Sequence, residues 1–311
     1  MGEHLDIITI GESLIELSSS TGLAYTQTFN KYYGGDTLCT AVAAQRLGSK
    51  AGYITRVGND PFKEFLMESW QLEGLDISQV KLIDGFNGVY FIGHPENTEK
   101  EFVYYRKKTA ATKLSIDDIS PDYILSADII YTTGSTQSLS LSAREAVQKA
   151  FQIAYENQMS TAYDLNYDSR LWSSDEAKEA FEELSPYIEI MFLSLEHDSV
   201  RVFDIDSPDK CIKYLWDTGI TKVIVKSAKD KGYFVGSEGD IVFVEFKTDE
   251  IVDSTGSGDA FNGAFLHGLN SGMTIVEAAK LASIDAAIQC HGMGAIKSTP
   301  YKEQVYAAYY S

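Results

Sequence analysis

A chain of 311 residues with 26 basic against 45 acidic side chains carries a net charge of −19, and that field repels nucleic-acid phosphates and anionic lipid, which excludes both as partners. With 44% apolar residues and no low-complexity tract, the composition excludes extensive disorder and suits one large α/β domain, residues 1–311, with a small accessory part. Three scattered cysteines, Cys39, Cys211 and Cys290, without C-x-x-C spacing argue against a disulfide framework or zinc site. The N-terminal MGEHLDIITIGE has no basic n-region followed by a long apolar stretch, so the expected location is the cytoplasm.

In chain order the pattern predicts a strand at 5–10, a helix at 36–47, a strand at 51–57, a helix at 61–73 and a strand at 128–134. It continues with a helix at 141–157, a strand at 161–166, a helix at 173–184, a strand at 188–193, a helix at 207–218 and a strand at 222–226, then helices at 257–271 and 275–290. Alternation of this kind implies right-handed βαβ crossovers and a mainly parallel sheet with helices on both faces. Residues 14–33 and 86–106 break the rhythm. Their alternating apolar residues predict antiparallel strands or hairpins, forming a small β-lid, discontinuous in sequence, whose exposed face and edges a homodimer would cover.

Residues Asp253-Ser254-Thr255-Gly256-Ser257-Gly258-Asp259-Ala260-Phe261-Asn262-Gly263-Ala264 form a small-residue turn that runs directly into a helical pattern. Gly256 and Gly258 permit close backbone approach, and the unpaired N–H groups of the first helical turn, with the helix dipole, make an anion site. Helix capping by Asp and Ser is the plainer reading of the same residues. The whole stretch resembles the second signature of the ribokinase/PfkB carbohydrate kinases. A first signature is similar at Gly34-Gly35-Asp36-Thr37-Leu38-Cys39-Thr40-Ala41, followed by Gly48 and Gly58. Cys39 stands where that family usually has Asn, and the preferred reading is a buried thiol on the inner face of the helix at 36–47.

The resemblance implies a ribokinase-like fold and ATP-dependent phosphorylation of a sugar hydroxyl. Asp259 would be the catalytic base, and the backbone of Gly256, Ser257 and Gly258 would stabilise the phosphoryl group in transfer. Asn is replaced by Ser194 in Ser194-Leu195-Glu196-His197, a segment similar to the family's N-x-x-E that helps hold Mg²⁺ and phosphate; Glu196 is the better metal candidate because a hard cation prefers carboxylate oxygen. Lys226 and Gly232, in a segment resembling K-x-G-x-x-G, would approach the nucleotide, though a charged hairpin turn accounts for them as well. Many relatives also hold a monovalent cation, K⁺, for which Asp253 and Thr255 are the implied contributors.

Two other nucleotide folds are excluded by spacing. No G-x-x-x-x-G-K-[ST] loop occurs, and Gly263 falls too late for G-x-G-x-x-G. Glu277, some twenty residues after the glycines, is explained by a capping box with Thr274 rather than by a ribose contact.

Within the family, Tyr104-Tyr105-Arg106-Lys107-Lys108-Thr109-Ala110-Ala111 resembles the Y-Y-R-x-x-S-A-A of 2-keto-3-deoxygluconate kinases, whose substrate bears a carboxylate. Gly34, Gly35, Asp36 and Tyr90 agree with that subgroup. Arg106 offers a planar fork and Tyr90 and Tyr104 offer hydroxyls, together a carboxylate clamp. Asp164-Leu165-Asn166-Tyr167-Asp168-Ser169-Arg170 is similar to the subgroup's D-x-N-x-R, but Asp168 stands at the arginine position and Arg170 follows two places later. Either Arg170 reaches the same place or a substrate contact is lost, so fructose and other sugar acids stay open as substrates. A sugar or nucleotide sensor without catalysis is the alternative of a different class, against which Asp259 argues.

Overall fold

The computed structural model describes residues 4–96 and 99–311; residues 1–3, in the N-terminal stretch, and Asn97 and Thr98, in the second lid stretch, lie outside the described residues. The strands are β1 (Leu5–Ile10), β2 (Leu14–Ser19), β3 (Asn30–Gly34), β4 (Ala51–Gly58), β5 (Val80–Ile83), β6 (Gly88–Gly93), β7 (Glu101–Tyr105), β8 (Ala127–Thr133), β9 (Ser160–Asp164), β10 (Ile190–Ser194), β11 (Lys222–Ser227), β12 (Gly232–Ser237) and β13 (Asp240–Glu245). The α-helices are α1 (Asp36–Leu47), α2 (Lys63–Glu73), α3 (Pro121–Ile124), α4 (Gly134–Gln137), α5 (Leu141–Glu156), α6 (Ser174–Leu184), α7 (Pro208–Asp217), α8 (Ser257–Asn270), α9 (Ile275–Gln289) and α10 (Lys302–Tyr309).

Nine strands make one sheet in the order β13-β12-β11-β10-β9-β8-β1-β4-β5, parallel from β11 through β5 and antiparallel only at the β11-β12-β13 edge. Alternate residues of the apolar runs serve opposite faces. Met191, Leu193, Val223 and Val225 pack with α5, α6 and α7, while Ile190, Phe192 and Ile224 pack with α8 and α9. Burial on both faces is why these strands read as continuous apolar runs rather than alternating ones. Neither β5 nor β13 was expected, since each carries mostly half-exposed or exposed residues at a sheet edge, where the pattern is weak.

The small sheet has the order β3-β2-β6-β7 and draws on both predicted lid stretches. Its outer pairs, β2 with β3 and β6 with β7, are antiparallel, but the central β2–β6 pairing is parallel, from Leu14↔Gly88 to Ser19↔Gly93. The expected antiparallel hairpins are these outer pairs, and the parallel pairing arises where the two meet edge to edge.

The chain grows outward from β1 in both directions, through β4 on one side and β8 on the other. The order therefore reverses at the centre of the sheet, and a crevice opens at the carboxyl ends of β1, β8, β9 and β10. Helix α8 is pressed onto α1 beside this crevice. A Cβ on Gly263 would lie 2.3 Å from the Thr40 carbonyl, so only glycine allows the approach, and the Thr40 hydroxyl reaches the Asp259 carbonyl at 3.2 Å.

Candidate active site

The turn before α8 is built from within. Asp253 Oδ1 accepts from the Thr255 N–H at 3.0 Å and its hydroxyl at 2.7 Å, and Oδ2 accepts from the Gly294 N–H at 3.2 Å. Gly256 takes φ 79° at the helix N-cap, a left-handed conformation that favours glycine, and a Cβ there would meet the Ala295 carbonyl at 2.8 Å. Among the described residues the N–H groups of Gly256, Gly258 and Asp259 have no hydrogen-bond acceptor, whereas Ser257 N–H bonds the Ser254 carbonyl. Three free donors at the start of a 14-residue helix make a cradle for an anionic oxygen.

Asp259 lies on the first turn of α8, part-buried beside this cradle. Loss of hydration pushes its carboxyl well above the ordinary range; Asp36 and Asp164 push the same way, against the pull of Lys226. Lys226, from β11, donates to Asp164 Oδ2 at 2.8 Å and to the Gly258 carbonyl at 3.2 Å. Asn262, one turn along α8, also donates to Asp164 at 2.6 Å. Buried Asp164 thus locks α8 to the ends of β9 and β11.

Two cavities meet at this helix end. One, of about 810 Å³, is lined by Gly35, Asp36, Tyr90, Tyr104, Arg106, Arg170, Gly256 and Asp259, and also by Glu12, Cys39, Lys100, Asn166 and Asp168. The other, of about 590 Å³, is lined by Ser194, Glu196, Lys226, Gly232, Ser257 and Gly258. His197 borders both. Gly34 lies outside the lining, packed behind Tyr90, whose hydroxyl a Cβ at Gly34 would approach to 2.6 Å.

Side-chain pairings refine several expected roles. The Tyr90 hydroxyl donates to buried Glu16 at 2.5 Å, which leaves it to accept, not donate, towards the cavity. Arg106 directs Nε and Nη2 to Glu12 Oε2 at 2.8 and 2.7 Å, and Arg170 forks onto Asp168. Asp36 Oδ2 accepts from Thr133 and from Asn166, whose φ of 37° turns its amide inward. Glu196 accepts from the Ser227 hydroxyl and the N–H groups of Ala228 and Lys229. It therefore holds the β11–β12 hairpin turn directly. The carboxylate of Asp253, a residue expected to contribute to a K⁺ site held by carbonyls, accepts from the Lys100 ammonium at 2.5 Å, so a cation of the chain itself takes that side chain.

Glu12 and Lys100 escaped the sequence reading. Glu12 follows β1 directly at the strand reversal, a position that signals a ligand crevice once the order is known, while Lys100 carries no local pattern at all. All three cysteines are free and buried, and no helix of the described residues is long and apolar enough to cross a membrane.

Comparison with known proteins identifies the family. The family model for pfkB family carbohydrate kinases matches residues 5–302. The chain is 30% identical to a 5-dehydro-2-deoxygluconokinase of Clostridium beijerinckii, over 91% of this chain and 86% of that protein. It is also 30% identical to a 2-dehydro-3-deoxygalactonokinase of Haloferax volcanii, over 96% of both. Among solved structures, the 2-dehydro-3-deoxygluconokinase of Thermotoga maritima shares the fold with a TM-score of 0.90 at 22% identity, covering 99% of both chains. A candidate Ribokinase II from E. coli, solved with ATP and Mg²⁺, gives 0.89 at 24%, covering 97% of this chain and 98% of that one. By these matches over nearly its whole length, this chain belongs to the pfkB family of carbohydrate kinases and is an ATP-dependent sugar kinase.

Proposed function

We propose that this kinase acts on a keto-deoxy sugar acid, with 2-keto-3-deoxygluconate, phosphorylated at its 6-hydroxyl, as the first candidate. The observation that carries this reading is the pair of guanidinium groups flanking one ring: Arg106 and Arg170 stand 5.9 and 4.5 Å from the centroid of Tyr104, in the cavity that also holds Asp259. Two cations over an aromatic wall suit a carboxylate at one end of a substrate whose hydroxyl meets the base at the other. Relatives named for three different dehydro-deoxy sugar acids support the substrate class without choosing among its members.

In this reading Asp36 and Asn166 orient the sugar hydroxyls, and Asp259 accepts the proton of the attacking hydroxyl as the new bond forms. The N–H groups of Gly256, Gly258 and Asp259 hold the oxygens of the group in transfer. Mg²⁺ with ATP supplies the phosphoryl group and neutralises its charge; Ser194, Lys226, Gly232 and, through water, Glu196 would face the nucleotide. Any K⁺ would rest on backbone carbonyls around Asp253 and Thr255, because the Asp253 carboxylate is taken. The reading extends to a single kinase domain over 1–311, a cytoplasmic location and a homodimer through the small sheet, whose Phe102, Val103 and Tyr105 are exposed.

Fructose-like neutral sugars are the second reading, favoured by the fact that both arginines already face protein carboxylates. The test is ATP consumption with 2-keto-3-deoxygluconate, gluconate, fructose and ribose, compared as kcat/KM. Preference for the keto acid supports the proposal; preference for fructose replaces it, and tight binding of one sugar without turnover of any would make the protein a sensor.

A further inference from the structure

Two arginines line the acceptor cavity, and their carboxylate partners differ in kind. Glu12, the partner of Arg106, is only 2% exposed and also accepts from the Thr109 hydroxyl at 3.1 Å, so that pair is part of the frame. Arg170 is held by a residue two places away on the same loop. Asp168 Oδ1 accepts from the Arg170 N–H at 2.9 Å and from Nε at 2.8 Å, while Oδ2 accepts from Nη2 at 2.6 Å. These two side chains are 20% and 56% exposed, and both line the cavity. The guanidinium is also anchored on the Tyr104 ring, which stacks on Tyr90 with centroids 5.4 Å apart. Rotation of Asp168 would therefore free the polar edge of Arg170 without moving its platform.

We propose that Asp168 is a built-in carboxylate that occupies Arg170 until an acidic ligand takes its place, and so limits the preference of this cavity for acids over neutral sugars. The proposal rests on the sugar-acid reading for its physiological meaning but not for its test. Burial alone would raise the Asp168 carboxyl; the hydrogen bonds from Arg170 bring it below the usual range, so it is charged and competes with a ligand carboxylate at neutral pH. A pair whose arginine is exposed and whose aspartate is half-buried is screened by solvent, so its exchange costs little, but the displaced aspartate still repels the incoming acid. In Asp168→Asn that competition disappears, while the amide keeps the size and can still accept from the Arg170 N–H.

Binding of gluconate and of fructose, measured by calorimetry on the whole chain, separates the outcomes. Asp168→Asn is expected to tighten gluconate about two- to fivefold with a smaller change for fructose. That gain should vanish in Asp168→Asn combined with Arg170→Gln, since the freed fork is its source. Weaker gluconate binding by Asp168→Asn, equal changes for both ligands, or a gain that survives loss of Arg170 would overturn the proposal. If the wild-type enzyme phosphorylates only neutral sugars, the sugar-acid reading falls alone, and the gluconate gain remains required of Asp168→Asn.

Discussion

The Lys100 ammonium stands 2.5 Å from Asp253 Oδ1, tying the residue before β7 of the small sheet to the turn that opens α8. Asp253 is 1% exposed and shapes that turn through Thr255 and Gly294, so the small sheet is joined electrostatically to the turn that carries the free N–H groups of α8. Burial would raise the Asp253 carboxyl, and the Lys100 and Thr255 hydrogen bonds bring it below its ordinary range. Lys100→Met should lower kcat by about tenfold, the scale of one charge-assisted hydrogen bond, and Lys100→Arg should restore much of it. Steady-state kinetics decide; a kcat within twofold of wild type in Lys100→Met would detach the lid from the cradle.

Asp259→Asn should retain ATP and sugar binding while slowing transfer by at least about 10²-fold, the usual contribution of a positioned base. Because the base must be ionised and its carboxyl is held high, kcat/KM should decline with falling pH while still above the ordinary carboxylate range. Lys226 opposes that rise, so Lys226→Met should move the acidic limb to still higher pH. An acidic limb near pH 4 in wild type, unmoved by the substitution, would remove Asp259 from the role.

Arg106→Lys keeps a charge but loses the planar fork, so it should weaken use of a sugar acid more than use of fructose. Arg106→Ala should cost about 2–3 kcal/mol in kcat/KM for the acid, or roughly 30- to 150-fold. It also strands buried Glu12, so some loss for every sugar is expected, and the ratio between substrates carries the test. Equal losses for acid and neutral sugar would mean that Arg106 supports the frame alone.

Asp285, on α9, is wholly buried and neither of its oxygens has a hydrogen-bond partner among the described residues. Burial holds its carboxyl well above the ordinary range. The folded chain keeps this proton where the unfolded chain has lost it, so stability falls as pH rises from the ordinary carboxylate range towards the folded value. Asp285→Ala should therefore be more stable than wild type at pH 8, by about 1–3 kcal/mol, with the difference narrowing towards pH 4. Urea unfolding at both pH values checks this, and a less stable variant at pH 8 would show that the acid is satisfied in solution.

Features carried by contiguous residues were legible before the fold was known. Buried parallel strands need apolar residues on both faces, which makes runs such as Lys222–Ser227 conspicuous, and a tight turn opening a helix needs its small residues in one stretch, as at Gly256–Asp259. Ser194 and Lys226 share a cavity because the parallel strands β10 and β11 end on the same side, as the alternating pattern implies, and Gly232 joins them because antiparallel β12 begins there.

The partners of the charged side chains were not legible. Arg106 stands 94 residues from Glu12 and Lys100 stands 153 from Asp253, and no periodicity links residues so far apart. The direction of the β2–β6 pairing is equally non-local, since it joins hairpins from two stretches of chain. By itself the sequence determined which glycine-rich turn would open a helix and which strands would be buried, because propensity and burial act along the chain. Only the tertiary structure decided which carboxylate each arginine faces, and therefore how much of its charge is left for a substrate, because an ion pair depends on distance and desolvation that folding alone establishes.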